Sequence, residues 1–442
     1  MKCSTRQFLW LTVFILLLIA PLLIMIVAPR PAGRQLIRDV AVGLGFLGLS
    51  LMGLQFFPAG RLHFIAETFP LDTLYDVHHE MSKAAFFLVL AHPILLIASN
   101  PYNFVAFNIV GAPWKLRAGV VAFALMLLLV MTSVWRVWLR LNYEAWRSLH
   151  DLFTIGVAGF ALYHILKVDY YTALPLQRWL WIGYAVLWGA VLLEIRVLKP
   201  MRMLQRPFRI ADLIEERGNT WSMVLEPVGH EGMAFNAGQV AWLTVDRSPF
   251  RIKEHPFSIA SSAEHPERIS FAIRELGDFT NQVGEYPVGT QVYIDGPYGT
   301  FDLEHHPGPG FVFVAGGIGS APIMSMLRTL ADQEDERPVY FFYGNPTWES
   351  ISFREELAEL EERLDLTMVH VLEHPPEGWQ GEKGLITKDI LQRHLPPNRN
   401  EWVYFICGPL PMIHLVRRSL HELGVTEGAC ETRIHSEQYV MA

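Results

Sequence analysis

Cysteine is scarce in this sequence: its 442 residues include three, Cys3, Cys407 and Cys430. Three scattered cysteines supply neither a disulfide framework nor the four thiolates of an iron–sulfur cluster. The formal net charge of −8 also leaves no basic stripe of the kind that binds a phosphate backbone. The composition therefore argues against nucleic acid as a partner, and any redox cofactor must be held by residues other than cysteine.

Internal repeats and low-complexity tracts are absent, but long apolar runs are abundant. Apolar residues make up 51% of the chain, and its mean hydropathy of +0.24 is high for a wholly soluble protein. Nearly every long uncharged run lies before about residue 198, whereas apolar and charged residues alternate from residue 200 onward. The sequence therefore predicts a membrane half followed by a soluble half.

The membrane half is predicted to be a bundle of six transmembrane helices, because its apolar runs are each near the roughly 20 residues that cross a bilayer. The first run follows Lys2 and Arg6 but lacks a small-residue cleavage pattern, which favours an uncleaved span over a signal peptide. The predicted spans are 8–28, 40–57, 80–99, 118–138, 149–167 and 176–195.

Lysine and arginine near the span ends indicate the orientation. They favour the cytoplasm for the N-terminus, for the turn at 136–147 and for the segment after the sixth span, although Arg30, Arg34 and Arg38 run against this count. We therefore expect a multi-pass protein of the cell (inner) membrane, with both termini and the soluble half in the cytoplasm.

Four histidines within the spans form two matched pairs. His78 and His92 are fourteen residues apart, and so are His150 and His164. Fourteen residues are close to four helical turns, so each pair shares one helix face and is separated by about 21 Å. The third and fifth spans run in the same direction, which sets His78 level with His150 and His92 level with His164. Two imidazoles at each level suit the two axial positions of a haem iron.

A lone membrane histidine can equally serve a helix–helix hydrogen bond or line a pore. The two equal spacings favour metal ligation for these four, whereas His63 and His79 have no such partner and are left out of the ligand set.

The soluble half is predicted to contain two domains. Short β-type runs at 208–216, 220–227, 238–245, 255–261, 268–275 and 290–295 predict a six-stranded antiparallel barrel. Strands at 311–315, 338–343, 366–372 and 402–407 alternate with helices at 320–331, 351–363, 387–394 and 410–422. That alternation predicts an α/β domain with a doubly wound parallel sheet.

Two motifs in the barrel suit a flavin. The run His255–Pro256–Phe257–Ser258 can present backbone amides and the Ser258 hydroxyl to an isoalloxazine edge. Farther along the chain, Arg274, Gly277 and Thr280 open a short predicted helix whose N-terminus could hold a pyrophosphate.

Two motifs in the α/β domain suit a nicotinamide nucleotide. The loop that contains Gly316, Gly317 and Gly319 follows a buried strand and precedes a helix, so its backbone can approach a dinucleotide closely. The run Cys407–Gly408–Pro409 ends another strand at the same sheet edge, where its thiol could sit beside the nicotinamide ring. A buried structural cysteine before a turn is the alternative interpretation of Cys407.

Taken together, these motifs make the whole chain resemble the transmembrane ferric reductase and NADPH oxidase superfamily, especially its compact bacterial members. The paired histidines are similar to that family's haem ligands, and the stretch Tyr143–Arg147 to the approach to its fifth span. The barrel, glycine-loop and Cys407 motifs are similar to its flavin, nicotinamide and hydride-transfer motifs. The resemblance implies a haem-binding domain at 1–200, an FAD-binding barrel at 205–304 and an NAD(P)H-binding domain at 305–442.

The resemblance further implies FAD rather than FMN, two b-type haems, and a C-terminal aromatic residue that covers the flavin until nicotinamide displaces it. Tyr439 occupies that place. Pro346, Thr347 and Trp348 stand where relatives that select NADPH often carry an arginine, which favours NADH.

We therefore expect a flavocytochrome that passes electrons from NAD(P)H near Cys407 through FAD and two haems to oxygen or a ferric chelate. Ser258 and Tyr439 would assist at the flavin. Two alternatives stay open: a flavin reductase merely anchored in the membrane that serves a cytoplasmic partner, and an ion or metal transporter with a nucleotide-sensing domain. The sequence does not identify protein partners.

Overall fold

The protein is described by a computed structural model that covers residues 5–27, 35–108, 110–251, 253–425 and 433–438. It divides into two compact units. The first contains Thr5–Ile65 and Thr73–Lys199, and the second contains Ala66–Asp72 and Pro200–Ala442. We call them the membrane unit and the dehydrogenase unit.

The helices of the membrane unit include six in the described residues that are long and apolar enough to cross a membrane. Among the described residues, three short α-helices lie between or after them, together with a 3₁₀ helix at Pro101–Phe107 and a π-helix at Glu194–Leu198. The α-helices are α1 (Thr5–Val27), α2 (Leu36–Leu54), α3 (Phe56–Ala59), α4 (His63–Ala66), α5 (Leu71–Ser99), α6 (Trp114–Val134), α7 (Tyr143–Val168), α8 (Pro175–Leu193) and α9 (Lys199–Leu204).

Two of the spanning helices begin earlier than their apolar runs. Helix α5 starts nine residues before the predicted run at 80–99, because its first turns carry acidic and histidine residues that lower the local hydropathy without breaking the helix. Helix α7 starts at Tyr143, where the Asn142 side chain accepts a hydrogen bond from the Ala145 amide at 2.8 Å and caps the helix. Both extensions lengthen the helices that carry the paired histidines.

Aromatic side chains fill the core of the membrane unit. Trp181 of α8 is fully buried and packs against Phe46 of α2 and Tyr184 of α8, with ring centroids 5.3 and 5.5 Å apart. Gly53 lets α2 approach α8 closely, since a Cβ atom there would overlap the ring of Trp188. Lipid tails are as apolar as these side chains, so close van der Waals packing holds the helices together.

The barrel of the dehydrogenase unit has six antiparallel strands in the order β4-β3-β6-β1-β2-β5. Its inward-facing side chains form one buried cluster that includes Ile210, Leu243 and Phe271. The strands are β1 (Phe208–Glu216), β2 (Thr220–Pro227), β3 (Val240–Val245), β4 (His255–Ser258), β5 (Ile269–Arg274) and β6 (Gln291–Tyr298).

The second domain of this unit is a parallel sheet with the strand order β10-β9-β8-β7-β11-β12. Helices cover both faces, so the central strands are buried throughout. Its elements are β7 (Phe311–Gly316), α10 (Ser320–Asp332), β8 (Val339–Asn345), α11 (Arg354–Arg363), β9 (Leu366–Leu372), β10 (Glu382–Lys383), α12 (Lys388–His394), β11 (Val403–Gly408), α13 (Leu410–Glu422) and β12 (Ile434–Gln438).

Three features of this sheet differ from the sequence prediction. Helix α11 begins at Arg354 rather than at 351, because Phe353 adopts a left-handed backbone conformation with φ of 59°. Strands β10 and β12 were not predicted, since the first is two residues long and the second has no long apolar run. The predicted fold class is otherwise confirmed, from the six spans to the barrel and the parallel sheet.

Candidate functional site

The histidines with matched spacing face one another inside the membrane unit. The rings of His78 on α5 and His150 on α7 have centroids 6.3 Å apart, and those of His92 and His164 have centroids 6.5 Å apart. The same two helices thus form two similar imidazole pairs at two levels.

Backbone carbonyls orient the imidazoles of the His92–His164 pair. The Nδ1 atom of His92 lies 2.8 Å from the carbonyl oxygen of Ala41, and that of His164 lies 2.7 Å from the carbonyl oxygen of Lys115. A carbonyl only accepts, so each Nδ1 must carry the proton and donate it. The Nε2 atom of each neutral ring is then left with a lone pair that can bind a metal.

Two glycines provide the space for these two rings. A Cβ atom at Gly45 of α2 would lie 2.9 Å from the His92 ring, and one at Gly119 of α6 would lie 2.8 Å from the His164 ring. Both contacts are closer than a real Cβ atom tolerates. The neighbouring helices can therefore hold these imidazoles only because both positions lack a side chain.

The His78–His150 pair has different surroundings. The His150 ring packs against Trp146, with centroids 5.4 Å apart, and its Nδ1 lies 3.4 Å from the Ser133 hydroxyl. The Nδ1 atom of His78 is buried and has no hydrogen-bond partner within the described residues. The two levels are therefore not equivalent, although they share the same pair of helices.

The geometry of both pairs fits a haem iron held by two imidazoles. Metal–imidazole bonds are about 2 Å long. Two imidazoles bound on opposite sides of one iron would therefore have ring centroids about 6 Å apart, once the distance from each nitrogen to its ring centre is added. The observed centroid separations are close to this value. No group of three or more histidine, cysteine or acidic side chains that could hold a bare metal ion occurs in the described part of the chain. A haem would bring its own ring nitrogens, so that the two imidazoles of each pair would be enough to hold it.

Substituting alanine for Gly119 is expected to weaken the His92–His164 level selectively. The added methyl group would displace the His164 ring, and we expect the affinity for a haem held by this pair to fall by about 10–100-fold. Haem content per chain, measured on the purified protein, checks this. Gly183→Ala is the matched control, because no atom lies within 4 Å of a Cβ at that helical position; equal haem loss in both variants would contradict the role of Gly119.

In the dehydrogenase unit, two rings of the predicted flavin motif pack against the aromatic ring of Phe279. The His255 ring stacks on Phe279 at 4.0 Å, and Phe257 lies 5.9 Å from the same ring. Ser258 is buried at the end of β4. The Thr280 hydroxyl accepts hydrogen bonds from the amides of Leu276 and Gly277, both at 2.9 Å. Thr280 thus shapes the turn that carries Gly277.

The two predicted nicotinamide motifs interlock at one sheet edge. Strands β7 and β11 are parallel neighbours, and Cys407 is in register with Ala315. A Cβ atom at Gly319 would lie 2.1 Å from the Cys407 carbonyl oxygen. Helices follow these strands and the strand order reverses between them, which is the position where doubly wound sheets bind ligands.

The motif residues of the barrel and the sheet also approach each other. A Cβ atom at Gly317 would lie 3.1 Å from the Arg274 guanidinium, so that side chain reaches the glycine loop. Gly316 faces Pro409, because a Cβ atom there would lie 3.0 Å from the proline ring. A single region of the dehydrogenase unit thus gathers Arg274, Gly316, Gly317, Gly319, Cys407, Gly408 and Pro409.

Strand β12 adds an acidic residue that sequence analysis did not select. Glu437 is in register with Cys407, and its Oε2 atom is buried with no hydrogen-bond partner within the described residues. Burial raises the pKa of Glu437 to about 8 and raises that of Cys407 well above its usual value. Both shifts favour the protonated, uncharged form of the group. The predicted aromatic residue Tyr439 lies outside the described residues.

Comparison with known proteins identifies three families along the chain. Residues 44–162 match the family described as "Ferric reductase like transmembrane component". Residues 206–302 match an FAD-binding domain, and residues 313–418 match an oxidoreductase NAD-binding domain.

Similar proteins of known description include two kinds of reductase. An NADH-cytochrome b5 reductase 1 from Candida albicans is 31% identical over 169 residues, covering 38% of this chain and 58% of the relative. The reductase component of a propane 2-monooxygenase from Rhodococcus jostii is 32% identical over 201 residues, covering 43% of this chain and 53% of the relative. The chain thus spans between half and three fifths of the length of these relatives.

The solved structures found by structural comparison include a flavohemoglobin from Malassezia yamatoensis with bound FAD and heme. It is 19% identical, with a TM-score of 0.49 over 91% of this chain and 96% of that one. The FAD/NAD-binding domain of a nitric oxide dioxygenase from Vibrio cholerae is 21% identical, with a TM-score of 0.47 over 53% of this chain and 98% of that one.

The order of the three family matches agrees with the architecture seen in the structure. In the described part of the chain, six candidate membrane helices come first, an antiparallel barrel follows, and a parallel sheet comes last. The chain thus combines six candidate membrane helices in the described residues with an FAD-binding and an oxidoreductase NAD-binding domain, which is the architecture of the ferric reductase and NADPH oxidase superfamily.

Proposed function

We propose that this oxidoreductase is a flavocytochrome that carries electrons from NAD(P)H across the membrane to oxygen or ferric iron. FAD and two b-type haems would be its bound cofactors. The observation that carries the proposal is the repetition of one arrangement: two imidazole pairs, on the same two helices, with ring separations of 6.3 and 6.5 Å. A pore or a single helix–helix hydrogen bond does not call for such a repeat.

His78 and His150 would hold one haem, and His92 and His164 the other. A haem held by two imidazoles exchanges single electrons and has no open iron position for oxygen. The carbonyl oxygens of Ala41 and Lys115 fix the ring orientations of His92 and His164 by accepting hydrogen bonds from their Nδ1 atoms. An acceptor would therefore be reduced without binding to iron, which suits both oxygen and chelated ferric iron.

In the dehydrogenase unit, the residues around the sheet edge would bind and position the two nucleotides. His255, Phe257 and Ser258 would contact the flavin, whose chemistry is to accept two electrons and release them one at a time. Arg274 would reach phosphate groups at the glycine loop, where its guanidinium already lies. Burial raises the pKa of both Cys407 and Glu437, which disfavours a negative charge beside the nicotinamide.

We also propose that the dehydrogenase unit faces the cytoplasm from the inner membrane of the cell. The proposal is supported by arginines at the ends of the fourth and fifth spanning helices, including Arg136, Arg140 and Arg147. It also agrees with the cytoplasmic supply of nicotinamide nucleotides.

An anaerobic optical titration tests the proposed function. We expect detergent-purified protein to contain one FAD and about two haems per chain, and NADH or NADPH to bleach the flavin and produce reduced b-type haem bands. Flavin bleaching without any haem absorbance, in folded protein expressed with ample haem, would favour the anchored flavin reductase. The absence of both signals would favour the transporter.

A further inference from the structure

The hydroxyl group of Ser133 on α6 lies among three other polar groups near the His78–His150 pair. It is 2.8 Å from the carbonyl oxygen of Leu129, 3.3 Å from the indole nitrogen of Trp146 and 3.4 Å from Nδ1 of His150. A carbonyl oxygen only accepts, so the hydroxyl donates its proton to Leu129. Its two lone pairs are then available to the indole N–H group and to His150.

This arrangement sets the protonation of the His150 ring. An imidazole binds a metal through a nitrogen that carries no proton, and the other ring nitrogen then carries one. Within the described residues, the Ser133 hydroxyl is placed to accept that proton from Nδ1. The Trp146 ring packs on His150 with centroids 5.4 Å apart and keeps the imidazole beside the hydroxyl. Ser133 therefore does for His150 what backbone carbonyl oxygens do for the His92–His164 pair.

The hydrogen bonds at the two levels differ in strength. The distances from Nδ1 to oxygen are 2.7 and 2.8 Å in the His92–His164 pair but 3.4 Å at His150, and Nδ1 of His78 has no partner within the described residues. Good N–H···O bonds join atoms about 2.7–3.2 Å apart, so the bond at His150 is weak. A strong bond from Nδ1 makes the ring a better electron donor to a bound metal, and a weak or missing bond leaves it a poorer one.

A haem iron held by poorer donors is easier to reduce, because its more positive, oxidised state is stabilised less. We infer that Ser133 is a positioning residue for His150, and that weak hydrogen bonding at the His78–His150 pair gives the haem held there the higher reduction potential of the two. The inference deepens the proposed function and rests on it for the presence of two haems. An electron shared between the haems would reside mainly at the His78–His150 level.

A redox titration of the haem absorbance in the full-length purified protein tests this inference. Ser133→Ala removes the acceptor of the His150 Nδ1 proton, so we expect one midpoint potential to rise and the other to stay unchanged. The equilibrium constant for reducing that haem should increase by about threefold to tenfold, where tenfold corresponds to about 59 mV for one electron. Two haems with unmoved potentials in Ser133→Ala would overturn the role of Ser133, and coincident potentials in the unmodified protein would overturn the inferred order.

Trp146→Phe is expected to shift the same potential in the opposite direction. Phenylalanine keeps an aromatic ring against His150 but lacks the N–H group that shares the Ser133 hydroxyl. The hydroxyl can then accept from His150 alone, which strengthens that bond and should lower the equilibrium constant for reduction by about twofold. Packing damage would not reverse its sign between the two variants. A rise of the potential in Trp146→Phe as well would therefore overturn the inference.

Two further variants of α6 isolate the hydroxyl. Ser133→Thr keeps it, and a threonine can bond to the carbonyl four residues earlier, as Thr132 does to Leu128 at 2.8 Å. Thr132→Ala removes a neighbouring hydroxyl whose hydrogen bonds in the described residues go to α6 carbonyls. Both variants should keep both midpoint potentials. A rise in either one equal to that in Ser133→Ala would overturn the role of Ser133.

A His92→Leu variant, which lacks one imidazole of the other pair, assigns the shifted potential to its level. The haem that remains is expected to have a midpoint potential near the higher of the two in the unmodified protein, and adding Ser133→Ala should raise it further. A remaining haem at the lower potential would overturn the inferred order. Protein that binds no haem would contradict the proposed function and the inference together, whereas two bound haems with unshifted potentials would contradict the inference alone.

Discussion

Replacing His92 with leucine is expected to remove about one of the two haems and to stop electron delivery beyond the flavin, while NADH still bleaches the flavin. The variant lacks one of the two imidazoles that would hold this haem, and the remaining imidazole alone would bind haem poorly. We expect the rate of ferric chelate or oxygen reduction to fall by about 100-fold or more, since each haem would be an obligatory step. Haem content, flavin bleaching and acceptor reduction are measured on the same preparation.

His79→Leu provides a matched control on the same helix. It makes the same chemical change next to His78, but the His79 side chain is exposed and was not assigned to either pair. This variant should retain two haems and full acceptor reduction. If His92→Leu kept both haems, the assignment of the pair would be wrong. If it lost a haem yet still reduced the acceptor at the original rate, the anchored reductase would be the better description.

The pairing of the histidines could be predicted from the sequence because the spacing between two residues determines whether they share one face of a helix. Two spacings of fourteen residues place both members of each pair along one helix, and parallel helices then bring the levels together. The strands of the barrel and the sheet were equally accessible, since alternation and buried runs reflect local geometry. Each of these predictions depends on residues that are close in the sequence.

The remaining parts of the candidate sites depend on contacts between distant segments. Gly45 and Gly119 stand on helices other than those of the histidines they accommodate, and nothing in their own neighbourhood marks them. The burial that raises the pKa of Glu437 comes from the fold around a short, polar strand.

A substitution in the glycine loop is expected to slow the reduction of the flavin by NADH. Gly319→Ala is expected to reduce the rate of flavin bleaching by NADH about 100-fold or more, because the new Cβ atom would lie 2.1 Å from the Cys407 carbonyl oxygen. Backbone atoms of a buried parallel strand cannot move aside as a flexible side chain could. The loop and the Cys407 strand end would be forced apart, which misplaces the donor relative to the flavin. Stopped-flow absorbance under anaerobic conditions measures the rate.

The cofactors serve as internal controls for this variant. Because the change lies in the sheet, FAD content and the reduction of the haems by a chemical reductant should remain as in the unmodified protein. A variant that lost FAD or haem as well would report general unfolding instead. Unimpaired bleaching by NADH, with both cofactors present, would show that the donor does not use this loop, and it would remove the structural reason for placing the nicotinamide beside Cys407.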